Sequence, residues 1–302
     1  MEAKPKFFLV INLIAGQGRC KELYPKVKLE LDRRKVDYDL HFTNEPLEAI
    51  DVAKMGIEAG FSHIVAMGGD GTVNEVVNGL LGSDAVLGVL PAGTGNDFIR
   101  MLGIPGNPLQ AVHTLLEDTT TTIDLGCVGD DRCFLNGLGI GIDAQVARAV
   151  LKMERLRGAP AYISAAVREV FRFEAFPVTV STPAEELELS CLSLGIANGI
   201  YAGGGFKLAP RADLHDGLID LSAVGDYPTM ERLVRLPRVR AGKHANWRRV
   251  TYRQVPEATI SSSAKLVAHV DGEPYRLPGE SFVVRALPNA LRVLVPGGTT
   301  PA

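Results

Sequence analysis

Short apolar runs alternate, through the first third of the chain, with stretches whose apolar residues fall three and four apart. The runs predict strands at Lys6–Asn12, Tyr38–Thr43, Ser62–Met67 and Val86–Leu90. The stretches predict helices near Lys21–Arg34, Leu47–Ala59, Asp97–Leu102 and Leu109–Leu116. Between the third and fourth strands, Val73, Val76, Val77, Leu80 and Leu81 mark one apolar helical face. Strands and helices in strict alternation predict a parallel, doubly wound α/β sheet with right-handed crossovers.

Beyond Thr119–Thr122 the pattern shortens. Thr122–Val128 and Arg132–Leu138 read as closely spaced β segments, and a helical insert follows near Ala144–Arg155 and Tyr162–Phe171. Then come Val178–Ser181, Glu186–Ala197, Leu218–Val224, Arg249–Val255, Ala258–Ser262, Leu266–Val270 and Ser281–Arg285. Many short strands with little helix between them predict a mainly antiparallel β-sandwich. The last apolar run, Leu291–Val295, is placed to return to the first sheet. A chain of this length holds one large domain or two. The change of pattern divides it into an α/β domain over residues 1–122, completed by a segment at 288–302, and a β-sandwich domain over 123–287.

Composition excludes some classes. Among 302 residues, 46% are hydrophobic and 22% charged, as in ordinary soluble globular proteins, and a net charge of −3 gives no reason to expect nucleic acid as a partner. The four cysteines, Cys20, Cys127, Cys133 and Cys191, show no CxxC and no metal-ligand spacing, so reduced thiols in a cytoplasmic protein are expected. Lys4 and Lys6 ahead of Phe7–Ala15 superficially match a signal peptide, but Asn12 cuts the run and Gly16-Gln17-Gly18 follows, as at a strand-to-helix turn. No uncharged apolar run reaches the ~18–20 residues of a membrane span. The expected location is therefore the cytoplasm, with peripheral contact to a membrane surface. From Arg232 to Arg249 the chain carries Arg232, Arg235, Arg238, Arg240, Lys243, Arg248 and Arg249 and no acid, with Trp247, the sole tryptophan, among them. That segment suits either a solvated helix face or docking to anionic headgroups. Aromatic interleaving for single-stranded nucleic acid is absent.

Two glycine turns carry the candidate chemistry. Gly68-Gly69-Asp70-Gly71-Thr72 follows one predicted strand and opens a helix, and Pro91-Ala92-Gly93-Thr94-Gly95-Asn96-Asp97 follows the next. A glycine turn at a helix start presents backbone N–H groups and the positive end of the helix dipole, an arrangement suited to phosphate. In a parallel sheet the two turns lie at one edge, where α/β proteins bind ligands. Asp70 would repel a bare phosphate, so it calls for a Mg²⁺ between them or for hydrogen bonds from a sugar or a neighbouring loop.

The segments GGDGTVNEVVNGL, PAGTGNDFIRMLGIP, LAPRADLHDGLIDL and HVDGEPY together resemble the bacterial diacylglycerol kinase-like lipid kinases. That family has relatives acting on sphingoid bases, and its superfamily includes NAD kinases and phosphofructokinases. The resemblance spans nearly the whole chain. It implies a nucleotide domain, a second domain for lipid and metal, and a site in the cleft between them. ATP would lie against Asn12, Gly16, Thr43, Gly68, Gly69, Asp70, Gly71, Thr72, Asn74 and Thr94, with Mg²⁺ on its phosphates. The first segment departs from the family's Asn-Pro-x-Ser-Gly, reading Asn12-Leu13-Ile14-Ala15-Gly16. Glu273, after Asp271-Gly272, would take the proton of the attacking lipid hydroxyl, and Asp70 would act beside it in catalysis. Asp216 would hold a structural Mg²⁺ or Ca²⁺ through its side chain, with the backbone carbonyls of Asp213 and Leu218. Asp97 and Asp124 would extend that network, and a homodimer is compatible with the family.

Three functions follow from these residues: an ATP-dependent lipid kinase, a kinase of a soluble acceptor such as NAD, and a catalytically silent nucleotide or lipid sensor. PAGTGNDF and the later DGE favour the first. The sequence leaves open diacylglycerol, phosphatidylglycerol, a prenol or a sphingoid base as acceptor.

Overall fold

The computed structural model describes residues 5–130, 132–150, 153 and 158–298. The end of the first predicted insert helix, toward Arg155, lies largely outside the described residues, as does Lys4. In chain order the elements begin with β1 (Phe7–Ile11), α1 (Arg19–Arg33), β2 (Tyr38–Phe42), α2 (Glu48–Glu58), β3 (His63–Gly68), α3 (Asp70–Leu80) and β4 (Val86–Pro91). Next come α4 (Asp97–Met101), α5 (Pro108–Glu117), β5 (Thr120–Val128), β6 (Arg132–Phe134), β7 (Gly137–Gly141), α6 (Ile142–Val150) and α7 (Gly158–Val170). The remainder is β8 (Phe176–Ser181), β9 (Glu186–Ala197), β10 (Tyr201–Ala202), β11 (Phe206–Lys207), β12 (Ile219–Gly225), α8 (Thr229–Arg240), β13 (Val250–Val255), β14 (Glu257–Ser261), β15 (Ala268–Val270), β16 (Glu273–Tyr275) and β17 (Ser281–Leu294).

Two compact units divide the chain, Met1–Ile123 with Asn289–Ala302, and Asp124–Pro288. In the first, β2, β1, β3 and β4 pair in that order, all parallel, and Arg292 and Val293 of β17 add beside Val86 and Leu87. Every residue of β1, β3 and β4 is buried, as expected of strands covered on both faces by helices. Helix α2 packs on α3, and α1 packs on α5. Val73, Val76, Val77 and Leu80 are buried as their spacing predicts, while Leu81 is only half-buried where the helix ends.

The second unit is antiparallel. Strand β9 pairs with β8 along its first half and with β7 and β12 along its second. The inward faces of these strands and of β14, β15 and β17 share one apolar core that includes Phe134, Ile140, Leu194, Ile196, Ile260 and Val284. Three details differ from the sequence reading. Arg132–Leu138 breaks into β6 and β7, and Leu266–Val270 pairs only from Ala268. The segments expected separately at Ser281–Arg285 and Leu291–Val295 are one strand, β17, which carries Pro288 and a left-handed Asn289 (φ 52°) in its interior.

The expectation of reduced thiols throughout is corrected. Cys127 and Cys133 stand opposite one another in the β5–β6 register, with Cα atoms 4.0 Å apart, and form a disulfide. Cys20 and Cys191 are free and buried.

Candidate active site

In the first unit the ends of β1, β3 and β4 converge. The N–H groups of Ala92 and Gly93 both donate to the carbonyl of Gly68, at 2.7 and 3.1 Å. A Cβ placed on Gly93 would stand 2.5 Å from the Gly69 Cα, and one on Gly16 would stand 2.2 Å from the Ala92 carbonyl oxygen. Gly16 also has φ +61°, so glycine is required there for space and for conformation alike. Asn12 Nδ2 donates to Thr72 Oγ1 at 3.2 Å, and Asp70 Oδ1 accepts from the Asp97 N–H at 2.9 Å. Thr43 is buried at the end of β2, its N–H donating to the Ile11 carbonyl at 2.9 Å.

The expected nucleotide residues Asn12, Gly16, Gly68, Gly69, Asp70, Gly71 and Thr72 thus come together at the carboxyl edge of one parallel sheet, with Thr43 beside them. Thr94 is exposed in the second turn. Thr72 and Asn74 are buried, and Thr72 meets Asn12, so these two side chains brace the turn from behind.

Glu273 lies in the second unit, exposed, as the first residue of β16. It follows a two-residue hairpin turn in which Asp271 and Gly272 both take positive φ, 47° and 90°. The Asp271 carboxylate accepts from the N–H groups of Leu135, Asn136 and Gly137, each at 2.9 Å. On the other side, Gly272 N–H donates to Nδ1 of the buried His269 at 3.1 Å. The turn ahead of Glu273 is held from both sides.

The same 135–137 backbone leads to the candidate metal loop. Asn198, fully buried, donates through Nδ2 to the carbonyls of Leu135 (3.1 Å) and Asp124 (2.9 Å). The Asp124 N–H donates to the Leu214 carbonyl at 2.7 Å, and its Oδ2 accepts from the Gly217 N–H, also at 2.7 Å. Within the loop, Asp213 accepts from His215 N–H and Asp216 from Leu218 N–H. Partial burial, with the charges of Asp213 and Asp124 nearby, pushes the Asp216 carboxyl above its usual range. A carboxylate crowded by two others on a loop of turning backbone fits a hard cation. Among the described residues no group of three His, Cys, Asp or Glu side chains is placed to hold a metal, so a cation here would depend on the loop carbonyls.

Asn198 and the three-fold grip of Asp271 depend on partners far along the chain, which no local pattern reports, whereas His269 stands in the HVDGEPY segment itself, three residues from the Gly272 N–H it accepts.

Residues 6–128 match the model of the diacylglycerol kinase catalytic domain, and residues 137–295 that of the YegS C-terminal NAD kinase beta sandwich-like domain. A protein of Chromohalobacter salexigens named "Probable lipid kinase YegS-like" is 33% identical over 300 residues, covering 97% of this chain and 94% of its own. A Pseudomonas aeruginosa protein of the same name is 35% identical over 300 residues, covering 98% and 96%. The chain belongs to the YegS-like lipid kinase family. A solved structure of a diacylglycerol kinase from Bacillus anthracis shares the fold of this chain, with TM-score 0.75 at 22% identity over 99% of this chain and all of that one.

The second unit also holds an apolar cavity of about 140 Å³. Leu192 and Gly195 of β9 and Val224 of β12 form its floor, and Val170 of α7 with Leu236 and Val239 of α8 line its helical side. Asp143, at the start of α6, is the acidic group in its wall. No described helix is long and apolar enough to cross a membrane.

Proposed function

We propose that this lipid kinase transfers the γ-phosphate of ATP to a hydroxyl of a diacylglycerol-like or related lipid. The convergence of the glycine turns after β3 and β4 on the Asn12–Gly16 segment carries the reading. The approach of Gly93 to Gly69 and of Gly16 to Ala92 leaves backbone, with no side chain, at the edge where phosphates bind. Asp70 is anchored at that edge by the Asp97 N–H. Mg²⁺ on the nucleotide would offset phosphate charge there. Glu273 takes the proton of the attacking hydroxyl; it stands exposed at the head of β16, and the clamped turn fixes the backbone that carries it. The apolar cavity under α7 and α8 receives acyl chain. Asp216 with the carbonyls of Asp213 and Leu218 holds Mg²⁺ or Ca²⁺ as a structural ion. The acceptor reaches the protein from a membrane surface, with the chain as monomer or homodimer.

The test is incubation with γ-labelled ATP, Mg²⁺ and a panel of mixed-micelle lipids, with NAD as soluble control. Label on a lipid and none on NAD is expected; label on NAD alone would move the protein to the soluble-acceptor kinases, and ATP binding without label on any acceptor would leave the sensor reading. Glu273→Ala should lower kcat by roughly 10²–10⁴-fold with ATP binding unchanged. Near-parental turnover would remove Glu273 from the role of base.

A further inference from the structure

Helices α7 and α8 touch one another, and both carry apolar residues on the side turned away from the protein. Ile163 and Val167 of α7, with Phe171 just past its end, recur every fourth residue and are 36, 38 and 58% exposed. Met230 and Val234 of α8 repeat the pattern at 70 and 67%. A soluble helix buries such a stripe. On their other sides these helices line the apolar cavity, α7 through the buried Ala166 and Val170 and α8 through the half-buried Leu236 and Val239. They are apolar on both sides, with the outer stripes unpartnered among the described residues.

Cations flank the stripes. Arg172, Arg238, Lys243 and Arg248 are exposed and make no ion pair among the described residues. Arg235 is held over the rings of Tyr227 and Trp247, at 4.5 and 4.7 Å, which fixes the aromatic pair beside the end of α8. An exposed apolar stripe bordered by Arg, Lys and a Trp is the surface chemistry of a helix lying in a bilayer interface.

We propose that α7 and α8 form the membrane-docking face, with the side chains of Phe171, Met230 and Val234 entering the acyl boundary of an anionic leaflet. The Arg and Lys side chains around them pair with lipid phosphates. This deepens the lipid kinase reading and rests on it for the purpose of docking: the cavity that would take an acyl chain lies directly beneath the helices that enter the lipid. A second copy of the chain fits this face less well, because a two-fold contact would bring the same unpaired cations against each other. The bilayer supplies the opposite charge.

The measurement is co-sedimentation of the full chain with vesicles of phosphatidylcholine alone and of phosphatidylcholine with phosphatidylglycerol. Binding to the anionic vesicles, weakened by salt, is expected. The Phe171→Ser/Val234→Ser double variant, altered only at exposed positions, should partition at least ~10-fold more weakly. It should keep the parental melting temperature and the parental turnover of a short-chain diacylglycerol dissolved below its micellar concentration. Equal partitioning of variant and parent, or no binding by the parent, overturns the proposal. So does a parent that light scattering shows to be a dimer and a double variant that is a monomer, since the stripe would then be covered by a second copy. If no lipid accepts phosphate while the variant still loses vesicle binding, the kinase reading fails and the docking face stands.

Discussion

Burial pushes the Cys20 and Cys191 thiols up to about 11 and about 12, so neither forms appreciable thiolate near neutral pH. With Cys127 and Cys133 joined, the native protein should show no thiol to a disulfide reagent at pH 8. Denaturation should release two, and reduction before denaturation should release four. Asp220 provides a second residue-scale test. Burial raises its carboxyl to about 6, and Tyr252 O–H donates to it at 2.5 Å. Between its ordinary value of 3.8 and about 6 the folded protein holds a proton that the unfolded chain has released. Stability attributable to this group is therefore full below that window and lost as pH rises through it. Asp220→Asn keeps an acceptor for Tyr252 and should flatten the loss, on the order of 1–3 kcal/mol, seen in urea midpoints between pH 4 and pH 7.

Among elements, the β15–β16 hairpin is held at its turn from two sides. Replacing Asp271 by Ala strands three backbone N–H donors that now share one carboxylate. The expected cost is about 2–3 kcal/mol by chemical denaturation, with a fall in kcat larger than any change in the KM for ATP. Asn198→Ala should act on the same hairpin and on the 213–218 loop together, since its amide bridges Leu135 and Asp124. The Asp-Gly pair marked a tight turn, but the strand β16 that follows it was not among the predicted elements. The turn's anchorage on the 135–137 backbone was not legible: the shortest of those three acceptor-donor pairs spans 134 residues, and no local pattern reports a partner that far away. The Cys127–Cys133 bond was hidden for a different reason: its cysteines are only six residues apart, and their pairing depends on the register of β5 and β6. By contrast β1, β3 and β4 were readable to within one residue at each end, since strands buried on both faces are largely uninterrupted apolar runs. The seam at residues 286–291 was misread as a gap because Pro288 and a left-handed Asn289 are ordinarily signs that a strand has ended.

For the whole molecule, a cation at the 213–218 loop would tie Asp216 to backbone that already leans on Asp124 and, through Asn198, on the hairpin of Glu273. Removing divalent ions with a chelator should lower the melting temperature, and Mg²⁺ or Ca²⁺ should restore it. Asp216→Ala should melt at one temperature with or without chelator; a parent whose melting ignores chelation would reduce the loop to a turn. Strand β17 bears on a different property, the order in which the molecule can be made. Its Arg292 and Val293 complete the parallel sheet beside β4, yet they leave the ribosome after the whole of the antiparallel unit. The residues of β1 to β4 must therefore wait, partly assembled and with the β4 edge uncovered, until the whole antiparallel unit has been synthesised. The protein that starts folding at its amino end closes its first sheet last.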